Sequence, residues 1–195
     1  MPGALARAIR TAGAAAPEGA GCDLCGEPAP VGHRHLLDTE RAEVMCACRA
    51  CALLFAGPGT GAGHYRLIPR RRVRLPPVPT APLGVPVGLA FFVPRADGSV
   101  TAHYPSPAGA TRWEVDATTW RRTTAGHPGL AGLASDVEAL LVNTARGQCH
   151  HWIVPVDDCF RVVAVVRAEW EGLSGGTRVW QRVEQFFAEL TGTPD

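Results

Sequence analysis

The apolar pattern of a packed domain begins near Val85. Residues 87–93, VGLAFFV, form a near-continuous apolar run; after a turn at Asp97 and Gly98, SVTAHY alternates Val100, Ala102 and Tyr104 on one face. The pair predicts an antiparallel hairpin with a well-buried first strand. YPSPAGATRWEV, punctuated by Pro105, Pro107 and Gly109, reads as a crossing connection that leads to a short helix around Trp120. Ser135 and Glu138 have capping-box spacing ahead of Val137, Leu140 and Leu141, which predicts a helix over 136–143. HHWIVPV at 150–156 reads as a strand. Asp157 or Asp158 can then cap a segment over 160–170, in which Val162, Val163, Val165 and Val166 favour strand against helix. Beyond SGGT at 174–177, Val179, Val183, Phe186, Phe187 and Leu190 recur at helical spacing and predict a final amphipathic helix. The sum is an α+β domain, an antiparallel sheet covered by helices. Phe91, Phe92, Leu140, Leu141, Phe186 and Phe187 are expected to share one core.

Upstream the pattern is different. Residues 1–20 are alanine- and glycine-rich and read as a flexible tail. Residues 21–56 form a cysteine-rich module that ends in the apolar run CALLFA. Residues 57–84 hold alternate glycines and most of the six prolines between Pro69 and Pro86, an extended connector before the α+β domain at 85–192. His64, Tyr65, Leu67 and Ile68 could let that connector lie against the main domain.

The cysteines carry the chemistry. Cys22-x-x-Cys25-Gly26 has the shape of a metal knuckle, with glycine letting the backbone close behind two thiolates. Cys48-x-x-Cys51 supplies a second pair after 22 intervening residues, enough for a short hairpin to return and complete a tetrahedron. Four sulfurs in two pairs make a zinc-ribbon-like site; zinc is the expected ion, with a single rubredoxin-like iron or an iron-sulfur cluster as alternatives. Cys46 leaves the ligand list open. It is an alternative to Cys48, a small buried hydrophobe, or a free thiol beside the site. His33 and His35, on one face of an extended segment, are surface or neighbouring groups, or members of a mixed cysteine and histidine site.

Other motifs carry less. Cys149, His150, His151, Asp157, Asp158 and Cys159 contain the material of a nucleophile and base, yet they flank a predicted strand whose two histidines face opposite sides. Gly57-Pro58-Gly59-Thr60-Gly61 lacks the lysine and hydroxyl residue of a phosphate loop. Arg66, Arg70, Arg71, Arg72 and Arg74 form a basic run, a candidate contact for nucleic acid, for an acidic protein, or for solvent alone. No enzyme reaction is implied.

Composition tightens this only a little. The 195 residues are 46% apolar with a formal net charge of +1, so there is no global attraction to nucleic acid or anionic lipid. Seven cysteines grouped in close pairs, with no secretory or membrane-spanning pattern, favour reduced thiols in the cytoplasm over a disulfide framework.

Motifs along nearly the whole chain carry a resemblance. They are Cys22, Cys25 and Gly26, HRHLLD at 33–38, CACRACALLF at 46–55, and His64, Tyr65 and Arg66. Phe91 and Phe92, YPSPAGAT at 104–111, DVEALLVN at 136–143, PVDDC at 155–159 and LSGG at 173–176 complete them. The chain resembles an actinobacterial protein family of unknown function, encoded among accessory genes of high-affinity nickel-iron hydrogenases. That resemblance implies a role in making, stabilising or connecting a hydrogenase, with the hydrogenase or a maturation factor as protein partner. It brings no catalytic residue. The expected function is that of a non-catalytic zinc-binding accessory or adaptor protein; the alternatives are an iron electron carrier for the same system and a nucleic-acid-binding regulator.

Overall fold

The computed structural model describes residues 21–57, 63–84, 88–172 and 175–192; the expected N-terminal tail lies outside these residues. Contacts divide the chain into two compact units, Met1–Pro69 and Arg70–Asp195.

The first unit is built on a three-stranded antiparallel sheet. Strands β1 (Arg34–Asp38) and β2 (Glu43–Ala47) form a hairpin, and β3 (Tyr65–Leu67) adds to the other side of β1. Tyr65–Leu67 of the connector therefore form a strand of this sheet rather than a wholly extended link. The hairpin turn is held by Asp38, 1% exposed, whose Oδ1 accepts the amide N–H groups of Glu40 and Arg41 at 3.0 Å each. A short helix α1 (Arg49–Leu53) lies over one face, where Leu36, Ala47 and Ala52 form a small core flanked by Met45, Cys51, Phe55 and Leu67.

In the second unit a six-stranded antiparallel sheet runs in the order β4-β9-β8-β5-β6-β7. Its strands are β4 (Val73–Arg74), β5 (Leu89–Pro94), β6 (Val100–Ser106), β7 (Gly109–Val115), β8 (Glu138–Asn143) and β9 (His150–Pro155). Helices α2 (Ala117–Ala125) and α3 (Pro128–Ala131) follow β7, and α4 (Val156–Glu169) and α5 (Gly176–Gly192) follow β9. The α+β class, the hairpin, the helix at Trp120, the strand at 150–155 and the final helix all match the apolar pattern.

Three expectations are overturned. Residues 138–143 form the central strand β8, not a helix. Asp136 has a left-handed backbone (φ 69°), which stops a helical first turn, and the Glu138 carboxylate accepts the Ala134 amide N–H at 2.9 Å and also bonds Arg71. Val137, Leu140 and Leu141 fit helical spacing because the middle of β8, Ala139–Val142, is a continuous apolar run, as in a strand enclosed on both faces. YPSPAGATRWEV is no crossing connection: β6 runs on through Pro105 and Ser106, and β7 returns beside it in register from Ser106↔Gly109 to Val100↔Val115. Finally, the six core residues do not share one core. Phe92 pairs with Leu140 and Phe91 with Leu141, so adjacent side chains go to opposite faces. Phe92 and Leu140 pack with Trp120 of α2 and Leu130 of α3. On the other face His103 stacks on Phe91 at 4.7 Å, and Phe187 of α5 stacks on His150 at 4.7 Å.

The segment over 160–170, open between strand and helix in the sequence, is helical from Val156 onward. Val162, Val163 and Val166 are buried along it, and Asp157 and Asp158 sit in its first turn, where carboxylates complement the amide dipoles. Asp158, 1% exposed, is gripped by Arg72 (Nε to Oδ2 2.6 Å, Nη2 to Oδ1 3.1 Å) and by Arg161. Arg71 likewise donates twice to buried Glu138, at 3.0 and 2.7 Å. These two arginines of the basic run are clamps that fasten the start of the second unit to β8 and α4.

Removing one partner of such a pair leaves a buried charge. Arg72→Ala is expected to lower the unfolding free energy of the second unit by about 3 kcal/mol, the low end for buried pairs, because Arg161 still meets Asp158. Urea denaturation followed by tryptophan fluorescence measures it, and a change within about 0.5 kcal/mol contradicts the clamp. His103 gives a pH test. Burial, with Arg95 and Arg112 nearby, lowers its pKa to about 3. A histidine kept neutral in the folded state while the unfolded chain binds a proton contributes stability above about pH 6.5, lost progressively as pH falls toward about 3. The melting temperature should thus fall more steeply with acid in wild type than in His103→Phe; parallel curves contradict this.

Candidate metal centre

The first knuckle is closed by its own backbone. Gly26 adopts φ 76°, its amide donates to the Cys22 carbonyl at 2.8 Å, the Cys22 amide donates to Glu27 at 2.7 Å, and Gly21 bridges Pro28. The left-handed conformation explains the glycine after the second thiol. The second knuckle sits where β2 passes into α1. Cys48 caps that helix, its Sγ accepting the Cys51 amide N–H at 3.5 Å, which turns both sulfurs the same way.

The two knuckles meet. One sulfur from each of Cys22, Cys25, Cys48 and Cys51 lies within 4.8 Å of the other three, with Cys25 and Cys48 at 3.8 Å. Tetrahedral metal–thiolate bonds of about 2.3 Å set sulfurs about 3.8 Å apart, so the four could hold one metal ion after contraction of up to about 1 Å. Cys22 and Cys48 are buried, Cys51 is partly so and Cys25 faces solvent. Cys46 is not in this group. Its sulfur lies instead with ring nitrogens of His33 and His35, within 4.8 Å of each other.

Neighbouring groups set the charge of the thiols. For Cys22, burial opposes ionisation, but the backbone at Cys48, Leu24 and Cys25 outweighs it and brings the thiol down to about 6. Crowding by Cys25 and Cys48, with burial, pushes Cys51 up to about 12. The Glu27 amide favours a Cys25 thiolate, yet contact with Cys22, burial and contact with Cys48 leave its pKa raised. Four adjacent thiolates repel, and a cation is what allows them to coexist.

Sequence reasoning missed Asp23. Its carboxylate accepts the Cys46 amide N–H at 2.6 Å and its own amide donates to the Cys46 carbonyl at 2.9 Å, locking the first knuckle onto β2. The partner lies 23 residues away, so no local spacing signals it.

The second thiol group disperses. Cys149 is exposed and Cys159 fully buried, with burial and then Asp158 and Asp157 holding its thiol well above the usual range. His150 stacks on Phe187, while His151 on the opposite face accepts the Val78 amide N–H at 3.3 Å. A cavity of about 430 Å³ in the second unit is bounded by Tyr104, Pro105, Thr111, Val166, Trp170 and Trp180 among others. Its described lining contains no histidine, carboxylate or cysteine, so it presents no acid, base and nucleophile set. No described helix is long and apolar enough to cross a membrane.

The chain belongs to a family of unknown function, DUF5947, which matches residues 21–194. Comparison with curated proteins and with solved structures gives no match.

Since Cys25 and Cys51 are held as thiols, zinc loading near pH 7.5 should release at least two protons per ion at this cluster, and affinity should fall as pH drops. A pH-indicator dye in weak buffer reads the release. Uptake without proton release would contradict thiolate ligation.

Proposed function

We propose that this member of the DUF5947 family is a non-catalytic zinc-binding accessory protein, whose first unit is stapled by Cys22, Cys25, Cys48 and Cys51 and docks a protein partner. The observation that carries the reading is the convergence of those four sulfurs from two chain-distant knuckles. All four positions of a tetrahedral ion are then filled by protein, the arrangement of a structural rather than a catalytic zinc. An adaptor role draws support from the surface. Of the five exposed large apolar side chains among the described residues, Leu24, Val31, Leu53 and Leu54 lie in the first unit, two of them within or directly after the knuckles. Leu53 and Leu54, adjacent in the chain and each 66% exposed, are the apolar side chains a partner would cover. The resemblance of the motifs supplies the partner class, a nickel-iron hydrogenase or one of its maturation factors, in the cytoplasm.

A single iron on the same four sulfurs, with Cys25 at the surface as an electron entry point, is the second reading. Colour separates the two. Protein purified without added metal should be colourless and contain zinc, and replacing Cys22 and Cys25 together with serine should remove that ion and unfold the first unit. The second unit, with its own cores, should keep its cooperative melt. In cells the double-serine form should lower hydrogenase assembly, while purified mature hydrogenase turns over without the protein. Normal assembly despite verified metal loss removes the accessory role; visible absorbance that bleaches on reduction replaces zinc with iron.

A further inference from the structure

We propose that His33, His35 and Cys46 form a second metal site, separate from the four-sulfur cluster, that takes a zinc-class divalent ion through three protein ligands. This goes beyond the stapled-module reading, which needs only one ion. The sheet itself builds the site. His35 and Cys46 are directly paired across β1 and β2, and His33 is two residues before His35 on the same face. That face is opposite the one on which Leu36, Met45 and Ala47 meet α1, so the triad is not part of the small core. One ring nitrogen from each histidine and the Cys46 sulfur lie within 4.8 Å of one another.

Two further features prepare these groups as ligands. The Nδ1 of His33 is 3.0 Å from the Pro30 carbonyl oxygen. A carbonyl only accepts, so Nδ1 carries the proton and the lone pair resides on Nε2, an atom shut off from solvent. A histidine that gives its other ring N–H to a backbone carbonyl is the usual oriented form of a metal-binding imidazole. The Cys46 backbone, meanwhile, is fixed on both its N–H and C=O by Asp23. The two rings meet edge to face at 4.9 Å. Two imidazoles and one thiolate suit zinc, with about 2.0–2.1 Å to nitrogen and about 2.3 Å to sulfur. Three ligands leave one tetrahedral position for water or an exogenous ligand, so this ion should exchange faster than the enclosed one. Asp23 ties the sites together, because the residue that locks the first knuckle onto β2 also fixes the backbone of Cys46.

The test counts ions on the full chain. Metal-free protein reloaded with excess zinc and desalted should carry two ions per chain by plasma mass spectrometry, one of which leaves rapidly to EDTA. His35→Asn and Cys46→Ser should each retain one ion, the slow one, with an unchanged far-ultraviolet circular dichroism spectrum. His33→Gln, at a less buried position, gives the same readout should either of those variants misfold. With cobalt in place of zinc, added imidazole should shift the visible spectrum of wild type and leave that of the variants alone. A single ion in wild type that all three variants keep overturns the second site and leaves the four-sulfur reading standing. A single ion that they lose overturns both, because the ligands would then be mixed in one site. No bound ion at all likewise overturns both.

Discussion

In the reading proposed here, the first unit depends on bringing two pairs of sulfurs together, and the four do converge within 4.8 Å. Among the described residues its buried aliphatic side chains are few, Leu36, Leu37 and Ile68 with three alanines, beside a helix of five residues. So small a core cannot offset the conformational entropy of ordering a module with one hairpin and long loops. An ion held by Cys22, Cys25, Cys48 and Cys51 would close a long loop and add free energy beyond that of apolar burial. The Gly26 turn, the Cys48 cap and the Asp23 bonds to Cys46 all orient toward that closure, and the raised pKa of Cys51 reflects what the sulfurs do to one another without a cation.

The second unit follows a different logic. Its sheet is covered on both faces, so it has a real core on each side, with Phe92 and Leu140 in one and Phe91 and Leu141 in the other. Where the chain enters it, charge rather than apolar area fixes the path. Arg71 and Arg72 reach Glu138 and Asp158, two carboxylates that the fold buries almost completely. Those carboxylates would be costly alone, and the arginines would be poorly placed for any outside anion. Two arginines of a run that looks like a contact surface in one dimension are internal wiring in three, while Arg66, Arg70 and Arg74 are exposed.

Much of this was legible in the sequence, and the parts that were not share a cause. The knuckles, the first hairpin and α5 depend on local spacing: two thiols and a glycine, alternation around a turn, a stripe at 3.6 residues. The strand β8 is hidden because Ser135 and Glu138 imitate a cap; the Glu138 carboxylate accepts the local Ala134 N–H, but its ion pair is with Arg71, 67 residues away. The strand β7 hid behind Pro105 and Pro107, although a proline-bearing hairpin at a sheet edge breaks no rule. At the metal centre, thiol spacing points to the four sulfurs that converge, but it leaves Cys46 open as an alternative to Cys48, a small buried hydrophobe or a free thiol, and does not join it to His33 and His35. Only the register His35↔Cys46 resolves that, and register is a long-range property.

The most direct measurement is zinc-edge X-ray absorption on the Cys46→Ser, His35→Asn protein, in which two of the three ligands proposed outside the four-sulfur cluster have been removed. Our reading predicts a first shell of four sulfur scatterers at about 2.3 Å and no nitrogen. A shell containing nitrogen, or fewer than four sulfurs, would contradict the claim that Cys22, Cys25, Cys48 and Cys51 together hold the ion on which the first unit depends.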